Sequence, residues 1–243
     1  MHRPLLPLAP RLAGAVLEYE GCFIFGIRIM ARADRNALNP RKTPAQGRSK
    51  VTVDAIFEAT IQVLLADGLQ RLTTTRVAER AGVSVGTLYQ YYPNKQSLLF
   101  AVLKRHLERI SQSIEGAAQS SHNKQKAIMV RQVVNAFLSA KLADVDEARA
   151  LYAVASELDS LDLVVEAGNR CNAALASMLA TAPDQRISDP EMTALYLFSA
   201  MTGPTRAMLE AGVDAEILET LAGQLKRLCL GYLDQVAKDL AQL

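Results

Sequence analysis

Little in this sequence favours a sheet, a metal site or a membrane span. Tryptophan is missing, and seven tyrosines and six phenylalanines are the only such aromatics among 243 residues. No window sustains an alternation of Val, Ile and Thr between turn signals, so half-buried strands are not expected. Ala and Leu dominate instead, and the fold class reads as all-α. Three cysteines, Cys22, Cys171 and Cys229, are odd in number and widely spaced, which argues against a disulfide scaffold. With no CxxC pair and only the scattered His2, His106 and His122, no metal-ligand spacing exists, and these residues read as core or surface filler. No metal and no cofactor are expected, and a reducing cytoplasm suits the thiols. No run of about eighteen apolar residues occurs, so no membrane contact is expected either.

What the chain does have is length for one large or two modest domains, with half of its residues hydrophobic. Its formal net charge is only +2, yet the charge is unevenly placed. Residues 41–105 carry ten Lys/Arg against four Asp/Glu, a net of +6, whereas residues 106–243 carry twelve against eighteen, a net of −6. A basic front attracts phosphates and an acidic rear does not, so one end is suited to nucleic acid and the other to a different task.

Within the basic part, residues 78–95 read AERAGVSVGTLYQYYPNK. Ala78 and Ala81 close one short helix, Gly82 supplies the backbone freedom of a tight turn, and Val83 is an apolar plug at the corner. Ser84 caps a second helix running to about Tyr91, with Leu88 and Tyr92 four apart on one face. That leaves Val85, Gly86, Thr87, Tyr89, Gln90 and Tyr91 to face DNA, as in a helix-turn-helix. Thr73, Thr74 and Thr75 start the preceding helix; one hydroxyl suffices as a cap, so spare ones suit phosphate. Thr74, Tyr89, Tyr91 and Lys95 are assigned to phosphates, and Val85, Gly86, Thr87 and Gln90 to base edges.

With LTTTRVAERAG before it and KQSLLFAVL after it, this stretch resembles the tetracycline-repressor (TetR) family of bacterial transcriptional regulators over roughly residues 51–102. The resemblance rests on a helix ending at Gly68, the Thr73-Thr74-Thr75 start, Ala-Gly-Val-Ser at 81–84, Thr87-Leu88-Tyr89, and Asn94-Lys95 before an apolar helix. The family often has His and Phe where this chain has Tyr91 and Tyr92, which still provide a hydrogen-bonding neighbour and an aromatic plug. The resemblance implies an N-terminal three-helix helix-turn-helix domain joined to a C-terminal helical bundle for ligand binding and dimerisation. On this chain the divisions are a disordered extension and basic arm over 1–49, the DNA-binding domain over 50–98, and the effector-binding and dimerisation domain over 99–243.

Residues 1–29 are partly apolar but interrupted by Glu18 and Glu20, so no secretory signal is expected, and Met30 reads as an alternative start that makes them dispensable. Residues 36–49, NALNPRKTPAQGRS, read as a basic arm or tail. Thr52 is expected to cap the first helix, whose stripe is Val53, Ile56, Phe57, Ile61, Leu64 and Leu65. Lys95 opens a joining helix with Leu98, Leu99, Val102, Leu103, Leu107, Ile110 and Ile114 on its apolar face. A cation at a helix N-terminus is disfavoured, so a phosphate partner is expected for Lys95. Further helices are expected over 124–142, 146–158, 161–182, 190–211 and 215–240, the fourth starting at Asp189-Pro190-Glu191 and kinked at Gly203-Pro204. The last two carry apolar residues on more than one face, which points to burial by a second copy, as the resemblance also implies. Leu221, Leu225 and Leu228 are the expected interface positions.

The functional expectation is a homodimeric regulator, most often a repressor in this family, that binds double-stranded DNA at a palindromic operator and answers a small-molecule effector. No enzyme is expected, for want of a catalytic constellation. The alternatives are an architectural DNA-binding protein without effector and an all-α enzyme or carrier. Phe137, Tyr152, Met178 and Met201 are candidate pocket residues, while the effector-binding set itself is unknown from sequence.

Overall fold

The computed structural model describes residues 47–158 and 160–241, so the expected extension and most of the arm lie outside the described residues. Among these, nine helices and no strand occur: α1 (Gly47–Arg71), α2 (Thr74–Ala81), α3 (Val85–Tyr91), α4 (Lys95–Ser121), α5 (Lys126–Lys141), α6 (Val145–Glu157), α7 (Leu161–Leu179), α8 (Pro190–Ala211) and α9 (Ala215–Ala241). The all-α expectation holds, and the five C-terminal spans fall within a few residues of those read from periodicity.

The first helix departs from expectation at its start. It begins at Gly47, so residues 47–49 are helical and Thr52 lies inside the helix instead of capping it. The cause is tertiary: Ser49 Oγ shares a hydrogen bond of 3.2 Å with the Tyr91 hydroxyl, which ties the first turn to the end of α3. The buried face of α1 is Val53, Ile56, Phe57, Thr60, Val63 and Leu64, and Leu65 falls off it, 46% exposed. Gly68 at φ 76° breaks the helical run, a conformation that costs an L side chain energy and glycine nothing.

Two hydrophobic cores result. The first gathers α1 to α3 and the start of α4, but it also takes in Leu151, Val154 and Ala155 of α6 and Leu163 of α7. The second is built from α4, α5, α7, α8 and α9 around Ile114, Met129, Phe137, Leu175 and Met201. No clean division falls at residue 98, because α4 is one 27-residue helix that contributes Leu98, Leu99, Val102 and Leu103 to the first core and Ile110 and Ile114 to the second. At 1.5 Å per residue it spans about 40 Å. Its middle is tied to α7 by Arg170, which grips Glu115 at 2.8 Å and Glu108 at 2.5 Å.

The last two helices divide the expected interface positions between two sides. Helix α9 turns Leu218, Leu221, Leu225, Cys229 and Leu233 into the protomer's own core, so Leu221 and Leu225 (3% and 1% exposed) are already covered. Leu228, 49% exposed, lies on the free side with Ile217, and α8 leaves Met192, Leu195 and Tyr196 exposed. Helix α8 runs through Gly203-Pro204 as one helical segment, with the Thr205 hydroxyl donating to the Met201 carbonyl at 2.7 Å.

Candidate functional site

At the basic end, short-range chemistry fixes the helix-turn-helix. Thr73 caps α2 by accepting from the Arg76 amide, and Gly82 at φ 66° closes it. The Val83 amide then reaches the Ala78 carbonyl at 3.0 Å, which turns the chain. Ser84 caps α3, accepting from the Thr87 amide at 3.0 Å and sharing a 2.8 Å bond with the Thr87 hydroxyl. Such a cap contributes about 1 kcal/mol. Leu88 is fully buried and Tyr92 nearly so, so these two anchor α3 as its spacing predicted. Phe57 meets Tyr92 with ring centroids 5.6 Å apart, and burial pushes the Tyr92 phenol up to about 12.

The expected DNA-facing residues separate into two groups. Gly86, Tyr89 and Gln90 are exposed, one helical face of α3, and Thr73, Thr75 and Ser84 are exposed at the two helix starts. Val85, Thr87 and Tyr91 are half-buried, Val85 and Tyr91 against the first core. Thr74 is buried, and its hydroxyl shares a 3.0 Å hydrogen bond with the Tyr89 phenol, which joins α2 to α3. Lys95 also has an inward partner: its ammonium donates to the Leu69 carbonyl at 2.5 Å, a carbonyl stranded past the Gly68 break. Its place at the α4 start is therefore explained inside the fold. Asn94 and Ser97 cap that helix reciprocally.

A second feature lies behind this module. A cavity of about 800 Å³, within the range that holds a drug-sized ligand, is lined by Leu103, Leu107, Leu151 and Ala155 from the first core and by Ile110, Phe137, Cys171 and Phe198 from the second. It therefore sits at the junction of the two cores. Of the four candidate pocket residues, Phe137 and Tyr152 line it; Met178 and Met201 instead pack in the core beyond.

Its polar end escaped the sequence reading. Lys141, the last residue of α5, is only 7% exposed, and its ammonium lies 3.4 Å from His106 Nε2 and 4.2 Å from the Tyr152 ring centroid. His106 is 3% exposed, with Nδ1 3.0 Å from Glu147 Oε1. With the proton on Nδ1, neutral His106 accepts from Lys141 and donates to Glu147, which also receives Arg109 Nη2 at 2.9 Å; the same Arg109 nitrogen lies 3.0 Å from His106 Nδ1. Burial holds the His106 imidazole below its ordinary value, with Lys141 and Arg109 adding to the effect against the Glu147 hydrogen bond. Burial, helped by Arg109 and Arg206, lowers the Lys141 ammonium to about 8. Arg206 pairs with Glu210 at 2.7 Å beside the same Tyr152. One signal was legible: Val130, Val134, Phe137 and Lys141 follow a single helical register, and the first three are core. Among the described residues, no group of three or more His, Cys, Asp or Glu is placed to hold a metal ion.

Fold and site together define a class: an all-α protein with a helix-turn-helix at one end and a helical bundle enclosing a ligand-sized cavity behind it. Family comparison gives the same answer at both ends. The sequence model described as bacterial regulatory proteins, tetR family, matches residues 56–102, and that of the tetracyclin repressor-like C-terminal domain matches residues 127–233. The chain belongs to the TetR family of bacterial regulatory proteins.

Among curated relatives, the HTH-type transcriptional repressor KstR of Mycolicibacterium smegmatis is 43% identical over 63 residues, 26% of this chain and 31% of that protein. Nucleoid occlusion factor SlmA of Actinobacillus pleuropneumoniae is 42% identical over 59 residues, 24% of this chain and 27% of that one. The match thus spans about a third or less of these relatives. Among solved structures, the fatty acid degradation regulator FadR of Bacillus halodurans superposes with a TM-score of 0.62 at 17% identity, covering 78% of this chain and 97% of that one. A TetR family transcription regulator of Marinobacter aquaeolei gives 0.55 at 17%, covering 74% and 95%. At these identities the likeness is one of fold. Among the described residues no helix is long and apolar enough to cross a membrane.

Proposed function

We propose that two copies of this chain bind a palindromic operator in double-stranded DNA as a transcriptional repressor, and that a small-molecule effector filling the cavity releases it. The observation that carries the reading is α3, held inward by Leu88 and capped by Ser84, with Gly86, Tyr89 and Gln90 turned outward. Gln90 carries the amide that pairs with adenine, and Gly86 lets the backbone approach the bases, with Val85 and Thr87 at the groove edge. Thr73, Thr75, Ser84 and Tyr89 serve phosphates, while Thr74, Tyr91 and Lys95 hold the frame through their bonds to Tyr89, Ser49 and Leu69. One seven-residue helix buries too little surface to be selective, so a second copy supplies the other half-site. Its interface is assigned to the exposed apolar side of α8 and α9, Met192, Leu195, Tyr196, Ile217 and Leu228.

The curated relative named as a transcriptional repressor supports the direction of control. The cavity supports an effector over the rival reading of an architectural DNA-binding protein, which has no use for such a space. The buried free thiols of Cys171 and Cys229 suit a reducing cytoplasm, and no reaction is assigned to the chain. Selection of bound fragments from random DNA with the full chain tests the reading. The expected product is one motif with two inverted half-sites whose centres lie a helical turn or a multiple of it apart; recovery of fragments sharing no motif would overturn it.

A further inference from the structure

A cavity this apolar needs no ammonium in its wall, and a buried ammonium without a counter-ion is costly. The charged side chains at the polar end pair off with one left over. Arg109 is matched by Glu147 at 2.9 Å and Arg206 by Glu210 at 2.7 Å. Lys141 is in no ion pair among the described residues; its contacts are neutral His106 and the face of Tyr152. Among the described residues, three cations against two carboxylates leave Lys141 without an ion pair, at the end of a cavity whose wall is otherwise mostly hydrocarbon and aromatic, with Ser111, Ser199 and Thr202 among its lining.

From this geometry we infer that the effector is an amphiphilic monoanion: a single carboxylate, or an equivalent singly charged acid, pairs with Lys141 while an apolar body lies along Leu107, Ile110, Phe137 and Phe198. This deepens the proposed function and rests on its reading of the cavity as the effector site. A neutral apolar ligand leaves Lys141 uncompensated, and a cation adds a second charge of the same sign. A dianion overshoots the one charge to be matched. The anion also takes over the ammonium that His106 now shares. His106 lies on α4, the helix that enters both cores, so the ligand's head group acts on the element that carries α3.

The test titrates the full chain with decanoate, decanol and decyltrimethylammonium, probes of one chain length and three charges, by calorimetry. Decanoate is expected to bind at least tenfold more tightly than decanol, and the cation not measurably. Lys141→Met is expected to bring decanoate down to the affinity of decanol with decanol unchanged, whereas Lys141→Arg keeps the preference. Equal affinities in the parent chain, a preference that survives Lys141→Met, or no binding by any probe would each overturn the inference. Release of the selected DNA is read in parallel. Decanoate that binds with the expected Lys141-dependent preference, yet leaves the DNA complex intact, upholds the charge assignment and overturns only the reading of the cavity as an effector site.

Discussion

Residue chemistry separates holding from reading. Gln90→Ala removes an exposed amide without disturbing the Leu88 anchor, so it is expected to weaken binding to the selected operator by about 1–3 kcal/mol and to leave random DNA unaffected. Equal weakening on both would take Gln90 off the bases. Lys95→Ala is expected to act on the fold instead. It strands the Leu69 carbonyl and should cost about 1 kcal/mol in urea unfolding, with the salt slope of DNA binding unchanged. A slope reduced by about one charge, with stability unchanged, would return Lys95 to a phosphate. Lys141 gives a pH-dependent case, facing His106 and Arg109 of α4, Glu147 and Tyr152 of α6, and Arg206 and Glu210 of α8. Its folded value of about 8 lies below the ordinary 10.5, so below pH 8 it is charged in both states and the burial penalty is complete. Between pH 8 and 10.5 the unfolded chain binds more protons, stability rises with pH, and the penalty fades. Lys141→Met should therefore stabilise the effector-free protein by up to about 3 kcal/mol below pH 8, and progressively less toward pH 10.5. A stabilisation independent of pH would show that packing alone is at work.

At the scale of the element, local rules were enough where local forces decide. Gly82, Ser84 and Asp189-Pro190 each set a helix boundary by satisfying or removing backbone groups within four residues, and the structure has those boundaries where the sequence put them. The start of α1 was missed because a contact across 42 residues, Ser49 to Tyr91, extends it. The polar end of the cavity was missed for the same reason. His106, Lys141 and Glu147 come from three helices, and no spacing along the chain announces their meeting. Helix α9 illustrates a subtler failure. Apolar residues lie on several of its faces, and periodicity alone does not say which face serves the protomer. The structure assigns Leu225 inward and Leu228 outward, so the two substitutions should differ in kind. Leu225→Glu places a carboxylate in the core and should unfold the C-terminal bundle. Leu228→Glu should leave the far-ultraviolet spectrum and the folded core intact while sedimentation reports a monomer. A folded dimer from Leu228→Glu would move the proposed interface off this side of α9.

For the molecule as a whole, the decisive arrangement is that the two cores share helices and enclose the cavity between them. Helix α6 packs Leu151, Val154 and Ala155 into the core of the helix-turn-helix end, and Leu151 and Ala155 also line the cavity. Under the proposed function, a ligand there would press on the helix-turn-helix end directly and need no long relay, although it would shift the equilibrium only by its preference for one arrangement. Gly168 of α7 offers a way to occupy the same space permanently. It lines the cavity, and a Cβ added there meets Phe198 at 3.9 Å, an ordinary contact. Gly168→Ala should stabilise the chain by about 1 kcal/mol through helix propensity, a rise of roughly 2–4 °C in melting temperature for a chain of this size. Gly168→Leu sends its extra carbons into the space the ligand needs, so the probe that binds the parent chain should no longer bind or release DNA. If decanoate bound Gly168→Leu as tightly as the parent, the ligand would lie elsewhere in the bundle, and the junction of the two cores would lose its proposed part in control.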